Sequence, residues 1–127
     1  MEERAALYYR QGYNCSQCIL KAVEHEYYKP IPKQCYALCR GVNTGFGFGG
    51  MCSVLIAGVM AFGLFFDEAS VKRLRLSLFS AFQDLYPSLN CAELVKERQN
   101  SAKCERIVRQ VAGIVKRLID EALKAAP

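Results

Sequence analysis

The chain has 127 residues, of which 52% are hydrophobic and 23% are charged, and this composition excludes intrinsic disorder and predicts one globular domain over residues 1–127. The net charge of +5 is spread along the chain without a block of five like charges, so we expect no nucleic-acid partner. The single histidine, His25, excludes a His-rich metal site and makes a Ser-His-Asp triad a poor explanation of the function.

Three helices are predicted in the first third of the chain. They span residues 2–11, 15–28 and 33–41. Asn14 is a good N-cap for the second helix, and Gln17, three residues later, completes a capping box. Pro30 and Pro32 interrupt the chain between the second and third helices.

A glycine-rich loop, residues 45–50, leads into an apolar segment, and we predict a central helix over residues 52–66. The absence of charge over residues 42–66 raises the alternative of a transmembrane span. The strongly apolar part, residues 51–66, covers only 16 positions, so we expect a helix buried inside the protein rather than in a bilayer.

The second half of the chain predicts three further helices. One spans residues 69–86 and ends before Pro87, a short one is capped by Asn90, and the last begins at Ser101. We expect the helix over residues 69–86 and the last helix to enclose the central one. No segment alternates as a strand does, so the prediction is an all-α domain of five to six helices.

Seven cysteines are the most unusual feature of the composition. They are Cys15, Cys18, Cys35, Cys39, Cys52, Cys91 and Cys104. The first residues, Met1 to Arg4, lack the basic region and apolar run of a secretory signal, so we expect a cytoplasmic location. In a reducing compartment, cysteines at this density indicate redox chemistry or metal binding rather than structural disulfides.

Four of the cysteines lie at predicted helix starts: Cys15, Cys52, Cys91 and Cys104. A helix N-terminus carries free N–H groups and a partial positive charge, and both favour a thiolate over a thiol. These four residues are therefore the candidate nucleophiles or metal ligands, and they should meet in space if they form one centre. The alternative is that they fill the core as small hydrophobic side chains.

Cys15 and Cys18 form a CxxC motif at a helix start, which predicts an activated Cys15 and a resolving Cys18 one turn deeper. Ile19 stands where a covalent haem motif needs histidine, so haem c is excluded. Cys35 and Cys39, four residues apart, fit either half of a metal site or two core positions.

The glycine loop lacks the Lys-Ser/Thr pair of a phosphate-binding loop. The N–H groups of Gly47, Gly49 and Gly50 lie close in sequence to Cys52 and could instead bond to a thiolate or to a cluster sulfur.

The cysteine-containing segments resemble the motifs of a known family. They are Tyr13-Asn14-Cys15-Ser16-Gln17, the glycine loop followed by Met51-Cys52, Ser88-Leu89-Asn90-Cys91-Ala92-Glu93-Leu94 and Cys104-Glu105-Arg106-Ile107-Val108. This arrangement is similar to the redox-active proteins named after the C-GCAxxG-C-C pattern. The resemblance implies a small helical domain, a redox role and the same four cysteines, while Cys18 stands where alanine is more typical.

Three hypotheses follow. The first is dithiol–disulfide chemistry with an unknown redox partner, in which Cys15 is the nucleophile, Cys18 or Cys52 resolves, and Cys91 and Cys104 form a second pair. The second is an iron–sulfur cluster or other metal held by Cys15, Cys52, Cys91 and Cys104. The third is a non-catalytic helical interaction module. A homodimer is also expected from five phenylalanines near the central helix, namely Phe46, Phe48, Phe62, Phe65 and Phe66.

Overall fold

The computed structural model describes residues 1–94 and 101–125, and over these ranges the chain is all-α, as the sequence predicts. The helices are α1 (Glu2–Arg10), α2 (Cys15–Tyr27), α3 (Lys33–Leu38), α4 (Ser53–Phe62), α5 (Glu68–Leu85), α6 (Cys91–Leu94) and α7 (Ser101–Ala125). A wide turn spans Gly45–Gly49. In place of strands, the described ranges contain one isolated antiparallel bridge, between Met51 and Asn90.

Local capping signals account for the starts of α2 and α5 and for the end of α5. The Asn14 side chain accepts a hydrogen bond from the Gln17 N–H at 2.9 Å, and the Gln17 side chain accepts one from the Asn14 N–H at 3.1 Å. This is the predicted capping box of α2. The Asp67 side chain caps α5 by accepting a hydrogen bond from the Ser70 N–H at 2.9 Å, without a reciprocal bond. At the other end of α5, Tyr86 is extended because Pro87 follows it.

The central helix is shorter than predicted at both ends. Cys52 is the N-cap rather than a helical residue, and α4 ends at Phe62 instead of continuing to Phe66. The Gly63 N–H donates to the Met60 carbonyl only three residues back, at 3.1 Å, so the chain tightens and leaves the α-helical path.

The short α4 is nevertheless the centre of the core. The sequence predicted α5 and α7 as its neighbours, and the structure adds α2. Gly58 allows the close approach, because a Cβ there would lie 2.9 Å from Leu78 of α5 and 3.1 Å from Val115 of α7. Within the described residues, no helix has the length and apolar character needed to cross a bilayer.

The first helix lies antiparallel along α7. Arg10 near the end of α1 donates to Glu105 near the start of α7, with Nε 2.9 Å from Oε1. Glu3 at the start of α1 forms an ion pair with Arg109, one turn further along α7. Two ion pairs of opposite polarity therefore set the register of the two helices.

The glycine loop packs directly against α6. Its wide turn is closed by the Gly50 N–H, which donates to the Gly45 carbonyl at 2.9 Å. Gly45, Gly47 and Gly49 have φ values of 58°, 83° and 80°, a region that favours glycine. At Gly49 there is also no space, because an added Cβ would lie 2.6 Å from the Ala92 Cβ.

A pair of backbone hydrogen bonds joins the loop to the segment before α6. The Cys52 N–H donates to the Leu89 carbonyl at 2.9 Å, and the Cys91 N–H donates to the Gly50 carbonyl at 2.7 Å. These bonds flank the bridge between Met51 and Asn90. They place the start of α4 beside the start of α6, although the two segments are far apart in sequence.

Replacing Gly49 by alanine should destabilise the protein by at least about 2 kcal/mol, because it combines a positive φ with a steric clash against Ala92. Gly47→Ala has the same backbone strain but open space, and should cost about 1 kcal/mol. Gly41→Ala meets neither obstacle and is the control. Urea unfolding measures the free energy of unfolding of the three variants. Equal destabilisation by Gly49→Ala and Gly47→Ala would contradict the packing of Gly49 against Ala92.

Candidate functional site

A cavity of about 1050 Å³ opens where the first residues of four helices meet. Cys15 begins α2, Cys52 caps α4, Cys91 begins α6 and Cys104 lies in the first turns of α7. All four line this cavity. The structure therefore brings together the four cysteines that the helix-start argument selected, including two that are 89 positions apart, Cys15 and Cys104.

The rest of the wall is supplied by α1, by the glycine loop, by the cysteine-bearing helices and by the short segments before α2 and before the loop. These lining residues are Tyr9, Gly12, Asn14, Asn43, Thr44, Gly47, Phe48, Gly49, Ser53, Val54, Ala92, Leu94 and Ile107. A cavity of this size is in the range that accommodates small-molecule ligands.

Cys15 and Cys104 interact directly, because their side chains are hydrogen-bonded to each other. The Cys15 S–H donates to the sulfur of Cys104 and lowers the pKa of Cys104 to about 6. The Tyr9 hydroxyl also donates to Cys104, and the charge of Lys103 adds to the effect against the opposing influence of burial. The hydrogen bond therefore favours a proton on Cys15 and negative charge on Cys104.

The same hydrogen bond has the opposite effect on its donor. The pKa of Cys15 is raised above that of an ordinary thiol, first because Cys15 donates to Cys104 and second because it is buried. The CxxC motif predicted a lowered pKa at Cys15, and the structure corrects this expectation. The reason is tertiary: a thiolate next to Cys15 disfavours a second negative charge at the same place.

Cys18 does not take the resolving position that the CxxC motif predicted. It is fully buried, its Sγ donates to the Tyr13 carbonyl at 3.6 Å, and it is not among the described residues that line the cavity. Burial raises the pKa of Cys18 to about 12. The helical turn that separates Cys18 from Cys15 directs it into the core rather than toward the cavity.

Cys52 and Cys91 face the cavity as thiols rather than thiolates. Burial raises the pKa of Cys52 to about 11, even though the backbone N–H groups of Val54 and Leu55 partly oppose this by bonding to the sulfur. Burial also raises the pKa of Cys91, and the nearby Cys104 raises it further. Among the four cavity cysteines, only Cys104 has a lowered pKa.

The two remaining cysteines belong to α3 and its C-cap. The Cys39 Sγ donates to the Cys35 carbonyl at 3.4 Å, and Cys39 is fully buried. Asn14 connects this region to the site, because its Nδ2 donates to the Cys39 carbonyl at 3.0 Å. Neither cysteine is among the cavity-lining residues that the structure describes.

The glycine loop contributes unequally to the cavity. Gly47 and Gly49 lie on its wall. Gly50 was predicted as a third backbone donor, but its N–H bonds to Gly45 and its carbonyl accepts from Cys91. Gly50 is therefore part of the scaffold and has no N–H to offer a ligand.

The four thiols do not fit a metal ion as they are arranged. In residues 1–94 and 101–125, no group of three or more His, Cys, Asp or Glu side chains is positioned to hold one. All seven cysteines are free in the structure.

Of the five phenylalanines considered for a dimer interface, three pack on the core. Phe62 is fully buried, and Phe65 and Phe66 are half-buried against the core. Phe46 and Phe48, on the glycine loop, are 52% and 80% exposed. The homodimer stays a prediction, and of these five phenylalanines only the two on the loop beside the cavity are exposed.

One site residue has no signal in the sequence. Tyr9 is separated from Cys104 by most of the chain and belongs to no motif, yet its hydroxyl contacts the Cys104 sulfur. Only the packing of α1 on α7 brings the two together.

Comparison with known proteins identifies the family. The family model described as "Putative redox-active protein (C_GCAxxG_C_C)" matches residues 13–118, a range that contains all four cavity cysteines and begins after α1. No curated protein and no solved structure matches the chain. Since the match covers most of its length, the chain belongs to the C_GCAxxG_C_C family.

Proposed function

We propose that the protein is a dithiol–disulfide oxidoreductase in which Cys104 attacks the substrate and Cys15 resolves the mixed disulfide. The observation that supports this most directly is the hydrogen bond between the two side chains at the cavity wall. It supplies a thiolate at neutral pH and keeps a second thiol within reach of the same sulfur.

The reaction needs one charge and one proton, and the pair carries both. The Cys104 thiolate forms a bond to one sulfur of a substrate disulfide, RSSR′, and the S–S bond breaks to release R′S⁻. Cys15 then loses its proton to the released thiolate and attacks Cys104 Sγ, which expels RS⁻. The protein is left with a Cys15–Cys104 disulfide and is oxidised by two electrons, while the substrate is reduced to RS⁻ and R′SH.

We assign Cys52 and Cys91 to a second dithiol at the same cavity. The backbone bonds that flank the Met51–Asn90 bridge keep the two close to each other and to Cys104. Their raised pKa values hold them as thiols while Cys104 is ionised. In this proposal they exchange with the Cys15–Cys104 disulfide by the same thiolate chemistry, and a partner thiol in the cytoplasm restores the reduced state.

Two further features support thiolate chemistry here. The starts of α2, α4 and α7 point their partial positive charges at the cavity, which favours negative charge on sulfur. We also assign the amides of Gly47 and Gly49 as backbone donors to a sulfur anion formed during exchange, because both lie on the wall.

Alkylation by iodoacetamide should modify Cys104 first, with a rate that reaches half its maximum near pH 6. In Cys15→Ala the S–H donor is lost, so the pKa of Cys104 should rise by at least about one unit. The measurement is the modified fraction of each cysteine against pH, read by mass spectrometry of peptides from the reduced protein.

Cys35→Ala is the matched control, because Cys35 is a half-buried thiol outside the cavity, and the Cys104 profile should not change. A wild-type profile centred near the ordinary thiol value, about 8.5, would show that the pair does not ionise as proposed.

Trapping with cystamine, a small disulfide, tests whether Cys104 attacks and Cys15 resolves. Wild-type protein should oxidise without retaining an adduct, because Cys15 displaces the bound half of the reagent. Cys15→Ser should accumulate a stable mixed disulfide at Cys104. Cys104→Ser should react at least about tenfold more slowly at pH 7, since burial still raises the pKa of each remaining cavity thiol. Intact-mass and peptide spectra identify the adduct and its position.

Cys18→Ala separates this mechanism from a CxxC mechanism. The variant should oxidise as the wild type does, because Cys18 lies outside the pair. A disulfide that links Cys15 to Cys18 in the wild type, and is lost in Cys18→Ala, would overturn the assignment of Cys104.

A further inference from the structure

The first helix lies outside the range that defines the family, yet it completes the cavity. The family match begins at residue 13, and α1 ends at Arg10. Tyr9, in the last turn of α1, is nevertheless one of the residues that line the cavity. This part of the wall is therefore supplied from outside the matched segment.

The packing of α1 on α7 explains why Tyr9 reaches the reactive pair. Consecutive residues of α1 contact consecutive residues of α7: the Tyr9 hydroxyl contacts the Cys104 sulfur, and Arg10 binds Glu105 through two hydrogen bonds of 2.9 and 3.3 Å. A two-bond guanidinium–carboxylate contact restricts both the distance and the rotation of the helix end. The ion pair one residue further along α1 thus holds the hydroxyl at the sulfur.

We propose that Tyr9 is a catalytic residue of this thiol chemistry, whose hydroxyl holds the Cys104 sulfur as a thiolate at the cavity face. This inference deepens the proposed function and rests on it for the meaning of the thiolate. The hydroxyl donates to the sulfur and keeps its own proton, so no proton is transferred to or from Tyr9. When Cys104 forms a disulfide its negative charge is lost, and the hydrogen bond weakens accordingly.

The hydrogen bond therefore favours the reduced protein over the oxidised one. A donor that stabilises the thiolate but not the disulfide shifts the equilibrium toward the reduced pair and makes the disulfide more oxidising. It also increases the fraction of Cys104 that is ionised near neutral pH. Both effects belong to the hydroxyl and not to the aromatic ring.

Several other charged or titratable groups surround Cys104, and the test must separate Tyr9 from them. These groups are Arg10 on α1, Cys15 on α2, Cys52 before α4, Cys91 on α6, and Lys103 and Glu105 on α7. Removal of the Tyr9 hydroxyl alone leaves all of them in place, so a phenylalanine substitution isolates its contribution.

Tyr9→Phe should raise the pH at which Cys104 alkylation by iodoacetamide reaches half its maximum by about one unit, so that the rate at pH 6 falls about fivefold. Well above both midpoints the variant and the wild type should react equally. Tyr8→Phe is the matched control, because Tyr8 is a half-buried neighbour on α1 that packs its ring against Tyr13, 5.8 Å between centroids. It should leave the profile unchanged.

A Tyr9→Phe profile that superimposes on that of the wild type would overturn the assignment. An equal shift in Tyr8→Phe would also overturn it, since the cause would then be a general loosening of α1. Arg10→Gln provides a second test. This variant keeps the Tyr9 hydroxyl but lacks the contact with Glu105 that positions it. The pH at which Cys104 alkylation is half-maximal should rise again, by a smaller amount than in Tyr9→Phe.

This experiment fails or succeeds independently of the proposed function. Alkylation measures the thiolate of Cys104 in the reduced protein and needs no disulfide substrate. A shifted profile together with a failed cystamine reaction would leave Tyr9 as the group that ionises Cys104 and would remove the oxidoreductase proposal alone.

Discussion

The hydrogen bonds from Cys52 N–H to the Leu89 carbonyl and from Cys91 N–H to the Gly50 carbonyl are the interaction on which the site depends. They join two chain segments that are remote in sequence and bring the starts of α4 and α6 to one place. The glycine loop can approach α6 this closely only because Gly49 has no side chain. The loop is thus a structural element first, and its compactness is what allows two cysteines to share a cavity wall.

This arrangement also makes the four cavity thiols, which are chemically identical, differ in their tendency to ionise. Four thiols line one cavity, but burial and mutual repulsion allow only one of them to ionise readily. Negative charge is favoured on Cys104 because the sulfur receives two donors, Cys15 and Tyr9, and lies beside Lys103. Each of its neighbours is kept protonated by the charge that Cys104 carries or by its own burial. A single nucleophile among several thiols is what the disulfide exchange proposed for this site requires.

Much of the fold follows from local signals, and these are readable in the sequence. The Asn14 capping box, the Asp67 cap and the proline after Tyr86 define helix ends through contacts within a few residues. The apolar character of residues 51–66 correctly predicts burial but overestimates the length of the helix. Hydrophobicity indicates that a segment is buried, whereas the tight turn at Gly63 determines where α4 ends. No local pattern in the sequence predicts that α2 packs against α4, because this contact arises from tertiary packing.

The sequence by itself determined that the protein is helical and that Cys15, Cys52, Cys91 and Cys104 stand at helix starts, because capping and periodicity act over a few residues. Only the tertiary structure decided which cysteines interact. The CxxC spacing favoured Cys15 with Cys18, but the fold directs Cys18 into the core and places Cys104 and Tyr9 at the Cys15 side of the cavity. The ionisation of a thiol depends on groups within a few ångströms, and for Cys104 those groups come from opposite ends of the chain.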